Sequence, residues 1–490
     1  MIWMGSLLTG VMITRALSVI AIQRARRHGF EMYIRSESRR LSVGRGETFT
    51  LTAVIRNRSP VALRLSDLES IASPEIKVTF AATQLNLAAR TEAELVLNCV
   101  PLRVGHFAVH GLQLRASQAL GAFEIPLLFV NPIQIVVWPR VFRISANRSL
   151  GGRSRLPAAT DRTTHRSGDS LELRELRAHQ PGDALRKIAW KASAKRGILL
   201  VRDEELTERQ TLWVLFDASL ELWAGEIGQA ALDDAVDQVA SLLQRHIALG
   251  DQVGLAVLAA RVLAWVPPDS GSKHMAHLVK GLLCSAQHWD ADRCGSDERH
   301  VAQLVYDHLH RIEPDLKFTN SEAEVEQLAA LALRTLHRFD FEIPGVFAHS
   351  ETERALRQYA SAMGLAPVFR LEPDRGACDA RLIESIERCL SDKPTRIVLC
   401  TVEPNERLFA GIETLQRRLA QKRVKLTLLQ IDAAAGLPVG PQPLSQIIAD
   451  SIRLRLSGIE LRSRLQMKRL RIGIEPLAVP RQPMRHRSSG

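Results

Sequence analysis

Hydrophobic and polar residues alternate along the part of the chain between residues 30 and 145. From Thr48 to Arg56 every second side chain is apolar from Phe49 onward, and this period of two is typical of a half-buried β-strand. The segment Asn57–Pro60 then supplies turn residues, and further short alternating runs follow up to Trp138. Several short strands separated by turn signals predict a β-sandwich domain over residues 30–145.

The pattern changes after residue 208, where continuous apolar runs alternate with amphipathic segments. Thr211 to Phe216 is an apolar run of the kind that is buried in a parallel sheet. Ala230 to Leu249 places its apolar residues on one helical face, and a further apolar run follows at Arg396–Thr401. Strands that alternate with helices over residues 208–445 predict a doubly wound α/β domain, with a helical insertion near residues 288–345.

The amino-terminal segment Ile2 to Ile22 is mostly apolar and contains one charged residue, Arg15. A helix of this length would span roughly 31 Å, about the thickness of a bilayer core. The basic cluster at residues 24–28 would hold the remainder of the chain on the cytoplasmic side. We therefore predict a membrane anchor helix within residues 1–28 and a location at the inner (cytoplasmic) membrane, with the bulk of the chain cytoplasmic. The alternative is a buried or interfacial helix, because Arg15 is costly at the centre of a bilayer.

Residues 150–203 combine a linker with a dense run of charged and turn residues. Asp183 follows a Pro-Gly turn and is placed to cap a helix from Ala184 to Arg196, which the next residue, a glycine, would end. Arg186 and Trp190 are four residues apart and would share a face of that helix away from its apolar stripe. We interpret Asp183, Arg186 and Trp190 as a partner-binding surface. The alternative is a structural helix in which Trp190 covers the neighbouring domain.

Two stretches together resemble a known bacterial family. They are Gly168 to Lys195, with its charged turn and helix, and Leu212 to Ser219, an apolar strand that ends in an acidic, hydroxyl-bearing loop. Both resemble the family known as domain of unknown function 58. Its members join an extended β domain to a von Willebrand factor A-like domain and often accompany a MoxR-type AAA+ ATPase. With the patterns above, the predicted fold class is α+β multidomain: an N-terminal membrane helix, a β-sandwich, then an α/β doubly wound von Willebrand A-like domain.

The same resemblance implies a candidate metal site at the carboxyl ends of the parallel strands. Von Willebrand A domains hold magnesium or manganese there with an Asp-x-Ser-x-Ser motif plus a separate Thr and Asp. This chain has Asp217 and Ser219 in the first two places and Glu221 in the third. Thr401 ends the later strand, and Glu403 follows it in the place of the missing Asp. Carboxylate oxygens suit a hard cation. Two interpretations stay open: a degenerate Mg or Mn site, and a site without metal.

Composition narrows the classes of partner. The 490 residues carry a formal net charge of +12, much of it near the ends of the chain, and residues 446–490 are predicted to form a basic C-terminal helix and tail. We interpret the tail as solvated; the alternative is a tail that binds nucleic acid, an anionic membrane surface or an acidic protein. We favour no nucleic-acid partner, because the aromatic residues that stack on bases make up only 5% of the chain. The six cysteines form no Cys-x-x-Cys pair, so they give neither a disulfide framework nor zinc-ligand spacing.

The sequence holds no P-loop, no His-Glu-x-x-His motif and no Gly-x-Ser-x-Gly motif. We therefore expect no catalytic residues. The predicted function is that of a membrane-anchored interaction protein, an adaptor or co-chaperone of a MoxR-type AAA+ ATPase in the assembly or maturation of a client protein complex. The alternative is a metal-dependent hydrolase that uses the acids at the carboxyl edge of the sheet.

Overall fold

The computed structural model describes residues 10–13, 16–17, 19–20, 30–36, 38–117, 124–140, 163–167, 173–180, 188–207, 210–319, 321–367, 374–402, 404–432 and 473–476. No helix within these ranges is long and apolar enough to cross a membrane. The predicted fold class was therefore wrong in its N-terminal membrane helix. That prediction used the length of an apolar run, which does not ensure one continuous helix. Most of Ile2 to Ile22, including Arg15, lies outside the described residues. The predicted location at the inner membrane, which no observation tests, stays a prediction.

The first large unit is a pair of β-sheets packed face to face. Their strands are β1 (Phe30–Arg35), β2 (Arg40–Gly44), β3 (Phe49–Asn57), β4 (Leu63–Ala72), β5 (Ile76–Phe80), β6 (Leu85–Leu87), β7 (Glu92–Pro101), β8 (Gly105–Ser117) and β9 (Glu124–Trp138). One sheet has the order β1-β3-β7-β5 and the other β2-β9-β8-β4-β6. Leu51 and Ala53, which the alternating pattern marked as inward, are buried against Phe107 and Ile135 of the opposite sheet.

A small antiparallel sheet connects this sandwich to the next unit. It consists of β10 (Thr163–Ser167), β11 (Leu173–Ala178) and β12 (Leu200–Thr207), in the order β10-β12-β11. The short helix α1 (Trp190–Arg196) precedes β12. Ile188 forms an isolated antiparallel bridge with Val201, so the chain is extended directly before α1.

The second large unit is a mixed six-stranded sheet. Its strands are β13 (Thr211–Asp217), β14 (Gln252–Leu258), β15 (Val262–Asp269), β16 (Arg396–Thr401), β17 (Lys425–Gln430) and β18 (Gly473–Pro476), in the order β15-β14-β13-β16-β17-β18. All neighbours are parallel except β15, which pairs antiparallel with β14. β13 is buried along almost its whole length, as its continuous apolar run predicted.

The helices of this region are α2 (Ala231–Ala248), α3 (Ser272–Leu283), α4 (Glu298–Ile312), α5 (Glu322–Arg338), α6 (Glu351–Ala362), α7 (Arg375–Cys389) and α8 (Glu406–Gln421). Helices α2 and α3 cover one face of the sheet, and α7 and α8 cover the other. Val214 and Phe216 of β13 pack with α2 and α3, whereas Trp213 and Leu215 pack with α7 and α8 on the opposite face. Successive side chains of β13 therefore enter two different cores, because a strand points alternate residues to opposite faces.

Helices α4, α5 and α6 form a separate helical layer with its own core. The region predicted as an insertion near residues 288–345 holds α4 and α5, and α6 continues the layer to Ala362. Trp289, Leu309, Leu336 and Leu356 are buried in this core. The layer also contacts the sandwich: the Gln134 side chain donates to Glu342 O at 2.9 Å and accepts from Glu342 N at 2.8 Å.

Buried histidines join the helical layer to the sandwich. Nε2 of His308 on α4 lies 3.0 Å from Nδ1 of His110 on β8, and Nδ1 of His308 lies 2.8 Å from the Tyr359 hydroxyl. Burial lowers the pKa of His110 to about 4 and holds the pKa of His308 well below its ordinary value. Both rings are therefore neutral near pH 7, which suits a hydrogen-bonded chain in a dry contact.

Two arginines of the sandwich fix its position against α2. Arg103 makes two bonds to Asp233, with Nε 2.8 Å from Oδ1 and Nη2 3.1 Å from Oδ2, and both side chains are buried. Arg45 lies 2.9 Å from Asp234 and 3.3 Å from Asp237. Because these acids lie on the first two turns of α2, the sandwich is held close to the end of β13, where the candidate site begins.

Candidate functional site at the carboxyl edge of the parallel sheet

Three residues predicted from the sequence meet where β13 and β16 end. The strands are parallel neighbours, with Phe216 paired to Cys400, so their last residues Asp217 and Thr401 lie side by side. The Thr401 hydroxyl donates to Asp217 Oδ2 at 2.6 Å, and the backbone N–H of Ser219 donates to Asp217 Oδ1 at 3.1 Å. Asp217, Ser219 and Thr401 are all buried. The carboxyl edge of a parallel sheet is where α/β proteins of this kind collect functional groups.

A buried arginine, Arg293, donates a hydrogen bond to the loop that carries Ser219. Arg293, which precedes α4, donates from Nη2 to Ala218 O at 2.7 Å. Its guanidinium also lies over the ring of Trp223, 5.5 Å from the centroid, and Arg103 lies over the same ring at 4.9 Å. The helical layer and the sandwich therefore both support the loop between Asp217 and Trp223.

The Arg375 guanidinium also lies at this edge. Its Nη1 lies 2.7 Å from Asp217 Oδ2 and 3.4 Å from the Ser219 hydroxyl, and its Nε donates to Asp379 Oδ1 at 2.8 Å. Arg375 is the first residue of α7, whose N-cap Asp374 accepts a hydrogen bond from Ala377 N. One turn later Asp379 faces the same way, because residues four apart share a helical face. The Asn405 side chain, which caps α8, also donates to Asp379.

The charges of this cluster are strongly coupled. Burial by itself would lower the pKa of the Arg375 guanidinium, but Asp217 and Asp379 outweigh it and raise that pKa above its ordinary value. The neighbouring Cys378 thiol has its pKa raised to about 12, first by burial and then by Asp217. Arg375 is therefore a permanent cation here, and Cys378 is a neutral thiol rather than a nucleophilic thiolate.

A divalent metal does not fit this arrangement of donors. Asp217 Oδ2, the oxygen that a metal would need, accepts hydrogen bonds from both Thr401 and Arg375. The residues that the structure describes contain no group of three or more His, Cys, Asp or Glu that could hold a metal ion. Glu221 is half-buried on the short turn Leu220–Trp223, and Glu403 lies outside the described residues. Two of the predicted Mg or Mn ligands, Asp217 and Ser219, thus lie together, but they contact the Arg375 guanidinium.

Sequence reasoning missed Arg375 and Asp379. Arg375 is 158 residues from Asp217 along the chain, and no motif connects the two. The available signal was local: Asp374 as a helix cap, followed by an arginine and an aspartate four residues apart. That signal predicts a helix start with an ion pair. It does not predict that the helix begins beside β13.

Of the three predicted partner-binding residues, Trp190 is described, whereas Asp183 and Arg186 lie outside the described residues. The predicted helix start is wrong, since α1 begins at Trp190 with Ala189 as its N-cap, and no side chain caps it. Gly197 ends the helix in the left-handed conformation at φ 69°, as predicted. Trp190 is 63% exposed, so it does not cover a neighbouring domain. Ile198 and Leu199 follow the helix and are 55% and 48% exposed.

Comparison with known proteins finds a family model that matches part of this chain. Residues 175–360 match the family model DUF58, protein of unknown function DUF58. Uncharacterized protein YeaD of Bacillus subtilis (strain 168) is 25% identical over 192 residues, which make up 39% of this chain and 44% of that protein. The chain thus matches less than half the length of this curated relative.

Solved structures show only weak likeness. The PapD-like domain 7 of human CEP192 is 14% identical with a TM-score of 0.17. The match covers 22% of this chain and 82% of the CEP192 chain. The secreted serine protease VesC from Vibrio cholerae is 9% identical with a TM-score of 0.18, and the match covers 25% of each of the two chains. Likenesses at this level say nothing of what this chain does. The family match rests instead on sequence: residues 175–360 match the model of the DUF58 family of proteins of unknown function, and the similarity to YeaD agrees with that match.

Proposed function

We propose that this protein is an adaptor that binds a MoxR-type AAA+ ATPase through its DUF58 region, and so assists the assembly or maturation of a client protein complex. The observation that carries the proposal is the exposure of Trp190, 63% of whose surface faces solvent on a helix inside the matched region. Ile198 and Leu199, which follow that helix in the chain, are also exposed. We call these three residues the Trp190 patch.

The Trp190 patch has the chemistry of a protein-binding surface. Burying a large apolar side chain stabilises a complex by about 1.5–3 kcal/mol, and tryptophan is among the residues enriched in binding hot spots. The same helix carries three exposed basic residues, Lys191, Lys195 and Arg196. A partner that fits it would offer an apolar pocket bordered by acidic side chains. An apolar core bordered by polar and charged side chains is the usual arrangement of a specific interface.

The cluster at the carboxyl edge supports a binding role over a catalytic one. Asp217 accepts hydrogen bonds from Thr401, Ser219 N and Arg375. Asp379 accepts from Arg375 and Asn405. A general base needs a carboxylate that can reach a substrate proton, and protein donors already engage both of these carboxylates. The cluster instead fixes the ends of β13, β16 and α7 relative to one another.

The experiment is a titration of the purified full-length chain with a purified MoxR-type ATPase from the same organism. Replacing Trp190 with Ala should weaken binding at least about tenfold, which is the scale of a single hot-spot residue. The fold should persist by circular dichroism, because the side chain is mostly exposed. Tyr33→Ala is the matched control: it removes an aromatic side chain that is 41% exposed, on β1 of the sandwich and outside the matched region. If Trp190→Ala binds as tightly as Tyr33→Ala and the wild type, the patch is not the docking surface.

A further inference from the structure

The carboxyl edge gathers oxygen atoms around one small volume. Asp217 Oδ2 and the hydroxyls of Ser219 and Thr401 come from the ends of two parallel strands, and Asp379 Oδ1 comes from the first turns of α7. Carboxylate and hydroxyl oxygens are the ligands that hard cations prefer in proteins. The oxygens at this edge are therefore arranged to surround a positive charge.

The positive charge among these oxygens belongs to Arg375. Nη1 lies within hydrogen-bond distance of both Asp217 and Ser219, and Nη2 lies 2.6 Å from Asp379 Oδ1. The Arg375 side chain is only 16% exposed, and the two carboxylates are buried. The guanidinium thus lies between two nearly dry carboxylates and bridges the sheet to α7.

Arg375 lies at the start of α7, and we infer that the Asp217 and Asp379 carboxylates stabilise its guanidinium at this position. A cation on the first turn of a helix opposes the helix dipole, and the first turn of α7 holds no acidic residue. Helix preference therefore disfavours an arginine at this position. The contacts with Asp217 and Asp379 compensate for that disadvantage, because hydrogen bonds between charged groups are stronger than those between neutral groups.

We propose that Arg375 is the resident cation of this site: its guanidinium takes the position at which Asp217, Ser219 and Thr401 would otherwise place a divalent metal. With Arg375 present, the cluster carries one positive charge against the two carboxylates, and a divalent ion beside the guanidinium would be repelled. Without Arg375, two buried carboxylates face each other with a net charge that matches a divalent cation. Removal of the guanidinium should therefore convert a site that does without metal into one that binds Mg²⁺ or Mn²⁺.

The test is thermal unfolding of the full-length chain in EDTA and in millimolar MgCl₂ or MnCl₂. The wild type should melt at the same temperature in all three solutions. Arg375→Met should lower the melting temperature in EDTA by at least about 3 °C, because it leaves the buried carboxylates uncompensated. Mn²⁺ or Mg²⁺ should then restore several degrees, since a ligand that binds only the folded state stabilises it. The double variant Asp217→Asn/Arg375→Met should gain nothing from either cation.

Matched controls separate this site from general effects of charge or salt. Arg354→Met removes a helical arginine that pairs with Glu351 at an exposed position, and it should change neither the melting temperature nor its response to cations. Three results would overturn the proposal: a cation-induced rise in the wild type that Asp217→Asn abolishes, an Arg375→Met variant that melts like the wild type in EDTA, or one that no cation stabilises. Should Arg375→Met fail to fold, calorimetric titration of the wild type with MnCl₂ decides instead. Stoichiometric binding that Asp217→Asn removes refutes the proposal, and no binding supports it.

Discussion

The buried ion pair between Arg103 and Asp233 offers a sharp test of how the sandwich is held against the parallel sheet. Both side chains are almost fully buried, 2% and 1% exposed, and two hydrogen bonds of 2.8 and 3.1 Å join them. Arg103→Met keeps most of the side-chain length and its apolar stem but removes the charge. Asp233 would keep the hydrogen bond from Gly228 N at 3.0 Å and lose both bonds to the guanidinium.

The expected cost follows from this burial. Removing one partner of a buried pair leaves an uncompensated charge, which lowers the free energy of unfolding by about 3–5 kcal/mol. The loss of the Arg103 contact with the Trp223 ring, at 4.9 Å from the centroid, adds about 0.5–2 kcal/mol. The double variant Arg103→Met/Asp233→Leu should recover most of the loss, because replacing both partners of a buried pair with apolar residues is close to neutral.

Urea unfolding monitored by circular dichroism measures this cost. The control is Arg56→Met, which breaks an exposed pair with Glu92 between neighbouring strands and should cost less than about 1 kcal/mol. The reasoning fails if Arg103→Met is no more destabilising than Arg56→Met. It also fails if the double variant is less stable than Arg103→Met alone, since the penalty would then not come from an unpaired Asp233.

Two further predictions concern the contact between the sandwich and the helical layer. Burial holds the pKa of His110 and His308 below the ordinary value of 6.5, so their contribution to stability is fully present above about pH 6.5 and is lost as pH falls toward about 4. The melting temperature should therefore drop across that range, and the drop should be smaller in His308→Gln; equal drops in both proteins would contradict the assignment. Gly364 has φ +59°, and a Cβ there would lie 2.8 Å from Phe107 Cα, so Gly364→Ala should cost about 2 kcal/mol in urea unfolding. Gly345→Ala, where a Cβ meets no atom within 4 Å, is the control, and equal stability of the two variants would count against a close approach.

Much of the local structure could be predicted from the pattern of side chains. β16 has the predicted bounds Arg396–Thr401, and α2 lies within the predicted run from Ala230 to Leu249. These elements were predictable because each is selected by a local periodicity that its own core-facing residues repeat. Asp217, Ser219 and Thr401 were likewise predictable as neighbours, since strands of one parallel sheet end at a common edge.

Local pattern also produced errors where other contacts decide the structure. The helix predicted from Ala184 begins only at Trp190, because Ile188 pairs with Val201 in an extended bridge. The membrane helix was inferred from the apolarity of residues 2–22, and no described helix has the length and apolarity to span a membrane. At residues 184–196 a run of suitable residues was taken for a continuous helix, whereas local propensity is only a weak guide to where an element begins and ends.

The sequence by itself determined elements such as β16 and α2, which of their faces are apolar, and which polar residues follow the buried strands. Only the tertiary structure decided that Arg375 lies between Asp217 and Asp379, that Arg103 meets Asp233, and that His110 meets His308. The physical reason is one of range. Hydrophobic periodicity relates residues that are a few positions apart, so it is visible in the sequence. An ion pair between residues 130 or 158 positions apart depends on how the helices and strands pack against one another, so it is visible only in the three-dimensional structure.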